Sequence, residues 1–206
     1  MLTTREDLLN ELRKLNAENK VLLFVAGIKP ALTSTRWSSV RELLEANFPF
    51  IPLKQKRTGK INMNLYFQTE EQKERFVREC TDDGRFTCHI KLGLELGFPP
   101  FACEVVGKNI NLKDDVHEKY KDYGEHWLAH NDSVLNQELE ERGYIKDTIG
   151  INYHGVQFGM ERGTAKETYE WLLENMPVPS NLQTVVIVKD NFTFKKIEQY
   201  IQENEV

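Results

Sequence analysis

Long apolar runs, paired cysteines and low-complexity tracts are all missing from this 206-residue chain. Its longest apolar stretch, 21–28, falls far short of the roughly 18 residues that a membrane-crossing helix needs, so no membrane segment is expected. Only three cysteines are present, none in a CxxC pair. An odd, unpaired count argues against a disulfide framework and fits a reducing cytoplasm. The glycines of a GxxxxGK[ST] phosphate loop are absent, as is the HExxH pattern of a zinc protease. A strong charge of one sign is absent too: the formal net charge is −5, with both signs spread along the chain. That balance speaks against non-specific binding to nucleic acid or to an acidic membrane. The densest basic run, KQKRTGK at 54–60, reads as the solvated tip of a hairpin. The first residues carry an amphipathic helical pattern rather than the apolar h-region of a secretion signal, which again points to the cytoplasm.

What is present is an alternation of helical and extended patterns. Thr3 with Glu6 forms a capping box ahead of a stripe of Leu8, Leu9, Leu12 and Leu15. The continuous apolar run 21–26, closed by Gly27 and Pro30, suits a buried strand. A helix over 35–46 follows, and the segments 48–54 and 60–67 flank a turn signal as a hairpin. Thr69 with Gln72 opens another helix. Next, Gly97-Phe98-Pro99-Pro100 turns one helix sharply into the next, since proline is tolerated in a first helical turn. The charged stretch 111–142 is helical, with breaks at Gly124 and at Asn131-Asp132. A strand over 148–158, a helix opened by Thr164 with Glu167, a strand over 184–188 and a helix over 192–202 complete the chain. The class is therefore α/β or α+β: a mixed sheet flanked by helices, with a helix-rich middle segment. The division expected is an α/β domain over 1–109, then 110–206 as a helical segment followed by a small α/β unit. The later strands either form their own sheet or join the first.

Four groups of residues could carry chemistry. Read as a strand–loop–helix unit, AGIKPALTSTRWSS places Lys29 at a sheet edge and Ser34, Thr35 and Arg36, beside Thr33, around a helix N-terminus. Free N–H groups and the helix dipole make such a place an anion site. Cys80, Cys88, His89 and Cys103 form a soft donor set, but their spacing matches no closed metal site, and buried inert thiols are the simpler reading. His126 and His130 stand one helical turn apart, a metal-ligand spacing in which Trp127 replaces the protease glutamate. No metal and no cofactor is expected from either set. Finally, NYHGVQFGMERG at 152–163 offers His154 as a proton-handling group among glycines that suggest a bulge or close backbone approach.

FVAGIKPA at 24–31 and LGLELGFPP at 92–100 together resemble a family of uncharacterised bacterial proteins, a domain of unknown function with AGIK and LGYP motifs. Gly27, Ile28 and Lys29 match the first motif; Gly93, Leu96, Gly97, Phe98 and Pro99 match the second. The family's histidine falls on Ile90 rather than on His89. The resemblance covers about 1–109 and implies a shared fold without a known activity. The functional expectation is a cytoplasmic protein that binds a small anionic molecule at Lys29. The alternative is a non-catalytic interaction module whose protein partner docks on 111–142.

Overall fold

In the computed structural model, residues 4–54, 61–82, 85–124 and 130–204 are described. Helix α1 (Arg5–Lys14) is capped by Thr4, whose hydroxyl accepts from the Asp7 N–H at 3.2 Å. The cap thus sits one residue later than the Thr3/Glu6 pattern suggested. Helix α2 (Asn19–Val25) occupies the run expected to be a strand. Strand β1 (Ala31–Thr35) then leads to α3 (Arg41–Asn47), β2 (Phe50–Lys54), β3 (Ile61–Phe67) and α4 (Glu70–Cys80). Two short strands, β4 (Thr81–Asp82) and β5 (Arg85–Phe86), precede α5 (His89–Glu95) and the long α6 (Pro100–Tyr120). After α7 (Asp132–Glu141) come β6 (Thr148–Tyr153), β7 (Val156–Glu161), α8 (Ala165–Asn175), β8 (Ile187–Asp190), β9 (Thr193–Lys196) and α9 (Ile197–Asn204).

The strands form two separate sheets, so the fold is a mixed α/β one with a sheet in each half. The first has the order β1-β3-β2-β5-β4, antiparallel apart from a parallel bridge between Lys54 and Arg85. The second, β7-β6-β8-β9, is antiparallel throughout. Alternation along β1 and β3 divides the first sheet's side chains between two cores. Leu32 and Tyr66, partners in register, face α1, α2 and α3; Ala31, Leu65 and Phe67 face α4 and α5. The second sheet packs Ile149, Ile151, Met160 and Val188 against α8 and α9.

Helix α2 joins these cores. Its Val21, Phe24 and Val25 belong to the first, while Leu23 belongs to the core of the second sheet. A helix buried on several sides is apolar all round. Periodicity cannot separate such a short run from a buried strand, which is why 21–26 read as β. Other segments also depart from expectation. The extended pattern over 148–158 is a hairpin that turns at His154-Gly155, both at positive φ. The terminal segment spends 193–196 as a strand before α9 begins, and β8 starts only at Ile187. The Thr164 hydroxyl donates to the Glu161 carbonyl (2.9 Å) instead of capping α8.

Among the described residues no helix is long and apolar enough to cross a membrane. Residues 55–60 of the basic run lie outside the described residues, as does His126.

Candidate functional site

The Lys29 loop is built by a helix end. Gly27, at φ +80°, follows the last turn of α2. Its N–H reaches the Phe24 carbonyl (2.9 Å), and the Ile28 N–H reaches that of Leu23 (3.0 Å). This is a Schellman cap, whose left-handed residue is glycine because a Cβ is unfavourable there. The elbow after α5 repeats the arrangement. Gly97, at φ +78°, donates to the Leu94 carbonyl, and Phe98 donates to that of Gly93. Pro100 then takes the first position of α6.

These two caps meet. The Lys29 ammonium donates to the carbonyl of Leu96, the C-cap residue of α5, and lies 4.9 Å from the centre of the Phe98 ring. A Cβ on Gly97 would stand 2.8 Å from Pro30 Cδ, so the backbones approach as only glycine permits. The AGIK and LGFP segments, about seventy residues apart in sequence, are one joint in space. A cation set against the free carbonyls of a helix C-terminus is also favoured by the helix dipole. Two glutamines hold the loop from beneath: Gln68 Nε2 donates to the carbonyls of Phe24 (2.7 Å) and Lys29 (3.0 Å), and Gln72 Nε2 to that of Pro30 (3.2 Å).

Lys29 is only 3 % exposed. Burial, followed by the nearby Lys20 ammonium, pulls its pKa down from 10.5 to about 7. Among the described residues no carboxylate pairs with it. It lines a cleft of about 160 Å³, together with Glu18, Lys20, Thr33, Leu96, Phe98, Gly155 and Gln157. Lys20 and Glu18 form an ion pair at 2.7 Å on the rim. The cleft thus lies where α2, β1, the elbow and the β6–β7 hairpin come together.

The rest of the expected anion site disperses. Since 31–35 is a strand and α3 begins only at Arg41, no helix N-terminus faces Lys29 from this loop. Ser34 is buried in β1 opposite Asn64, while Thr35 and Arg36 are exposed at the strand's far end. Of that group only Thr33 reaches the cleft. Lys20 and Gln157 were not singled out by sequence. The signal that could have found the joint was the pair of Gly-containing helix ends.

His154 stands at the hairpin turn with φ +50°. Its Nδ1 accepts from the Thr184 N–H at 2.9 Å, and its carbonyl accepts from Asn19 Nδ2 at 2.7 Å. Burial pushes the imidazole below its ordinary pKa. It does not line the Lys29 cleft, although the adjacent Gly155 does. Of the glycines that hinted at a bulge, Gly155 forms the hairpin turn at φ +91°, and Gly159 lies within β7 opposite Gly150 of β6.

Cys80, Cys88 and Cys103 are free thiols. Cys80 packs with Phe67 and Phe76, and burial raises its pKa. Cys103 lies against α5 beside Gly93, and burial pushes its thiol up to about 12. His89 pairs with Asp114 (3.5 Å), and His130 is exposed. Among the described residues no group of three or more His, Cys, Asp or Glu could hold a metal ion. In 111–142, Glu138 ties α6 to α7 by accepting from Lys119 Nζ (2.8 Å), the Tyr120 hydroxyl (2.6 Å) and Arg142. These bonds hold its carboxyl down to about 2.

No family model matches this chain, and neither a curated protein nor a solved structure does.

Proposed function

We propose that this protein binds a small anionic molecule, a carboxylate or a phosphate, in the cleft beside Lys29. The observation that supports it is a buried lysine that lines an open cleft without a carboxylate partner among the described residues. Burying an ammonium is unfavourable unless a counter-charge accompanies it. An incoming anion supplies that charge; at the rim the Lys20 ammonium is already paired with the Glu18 carboxylate, so Lys29 is the group that the anion would neutralise. Thr33 and Gln157 provide neutral hydrogen-bonding groups on the walls.

The reading makes binding proton-linked. With Lys29 titrating near 7 in the free protein, an anion that needs the ammonium form binds with uptake of a proton above that pH. Its affinity therefore weakens by up to about tenfold per pH unit above neutrality, until the pKa of the complex is reached. The test is a set of thermal scans with phosphate, nucleotides and simple carboxylates at pH 6.5 and 8.5. A ligand specific to the folded state raises Tm by mass action. The expected result is a shift that is larger at pH 6.5 and is lost in Lys29→Met. If no compound shifts the wild type, or the variant responds equally, the reading is wrong.

A further inference from the structure

The Lys29 cleft shares a wall with a second cavity. Leu96 and Phe98 line both. Behind them, between α5, α6 and β7, lies a space of about 180 Å³ whose lining includes Ala102, Val106, Ile110 and Phe158 and is predominantly apolar. Phe98 is the partition: its ring stacks on Phe158 at 4.7 Å between centroids and carries the Lys29 ammonium 4.9 Å from its own centre. One aromatic side chain thus separates a cation from an apolar pocket that opens partly to solvent. An apolar space of this size is large enough for a six-carbon guest such as benzene.

We infer that the two spaces form one site for a short-chain fatty carboxylate, its carboxylate beside Lys29 and a tail of roughly six carbons in the apolar cavity. This rests on the anion reading above and names the ligand class for it. Charge complementarity selects the head, and the apolar lining selects the tail. A bound acid passes between the two spaces when Phe98 turns off Phe158, so the ring acts as a gate. The half-buried Phe98 sits just after a helix cap and outside both helices, where such a side-chain rotation disturbs no helical hydrogen bond.

Affinities of acetate, butyrate, hexanoate, octanoate and uncharged octanol, measured by titration calorimetry at pH 6.5, test the inference. Each methylene transferred to an apolar space contributes enough to tighten binding roughly fourfold. The expected series tightens by about that factor per methylene up to hexanoate or octanoate. Octanol binds far more weakly than octanoate, and Lys29→Met removes that preference. Val106→Phe, which fills the apolar cavity, brings octanoate down to the affinity of acetate; Ile110→Phe is the second filling variant should the first fail to fold. Equal affinity for acetate and octanoate overturns the tail assignment and leaves the anion reading standing. Octanol binding as tightly as octanoate overturns the role of Lys29 as the head group's partner. Failure of every carboxylate, with phosphate still binding, overturns the ligand class alone; failure of all anions overturns both readings.

Discussion

Replacing Lys29 by methionine exchanges a buried amine for an apolar chain of similar length, and its consequence depends on pH. In the folded protein burial holds this pKa near 7, against 10.5 for an unperturbed lysine. Between those values the unfolded chain binds more protons than the folded one, so the lysine makes stability rise as pH increases. Below pH 7 the folded state carries a buried ammonium and the full burial penalty applies. Stability changes by about 1.4 kcal/mol for each pH unit between the two pKa values, so the wild type gains about 3 kcal/mol on the variant between pH 6.5 and 9.5. Other groups titrate over the same range, but they are common to both proteins and cancel in the difference. Urea denaturation of both proteins at half-unit pH intervals gives the difference directly. The variant also lacks the hydrogen bond to Leu96, an offset that is constant with pH while the amine still donates. A flat difference between pH 6.5 and 9.5 would refute the argument, because it would mean that Lys29 titrates alike in both states.

The elbow, the inter-sheet junction and the thiols give three more expectations. Gly97→Ala places a Cβ at a positive φ and within 2.8 Å of Pro30, so it should destabilise the protein by roughly 2–4 kcal/mol from left-handed strain plus overpacking. An unchanged urea midpoint would show that the joint tolerates displacement. Asn19→Ala leaves the carbonyls of His154 and Leu182 without their donor and should lower stability by about 1–3 kcal/mol. Hydrogen exchange should then quicken at the β6–β7 turn, and a global loss without a local change would count against Asn19 as the group that ties this turn to α2. With iodoacetamide at pH 8, the half-buried Cys88 should be labelled well before the buried Cys103, whose thiol stands near 12. Mass spectrometry of peptides after timed quenching reads the order, and a faster Cys103 would contradict the packing at α5.

Local chemistry determined a good part of this protein by itself. The Thr69 cap, with its hydroxyl 3.2 Å from the Gln72 N–H, was legible because both partners lie within one turn. So were the hairpin of β2 and β3, from the turn signal between the two segments and the alternation along β3, and the elbow at Gly97-Phe98-Pro99-Pro100, from glycine and proline stereochemistry. The mixed α/β class followed from the succession of such segments. Local chemistry failed where burial on several sides removed the periodic signal. The run 21–26 is uniformly apolar because Leu23 enters one core while Val21 and Val25 enter another, and nothing within six residues records that division. The misread strand then shifted the supposed helix N-terminus onto residues that form β1. Lys29 was visible as a candidate, but its burial, its lowered pKa and its bond to Leu96 arise from a segment 67 residues away. A lysine's charge state depends on the solvent and charges around it, and only the packing of two helix ends against each other excludes water there.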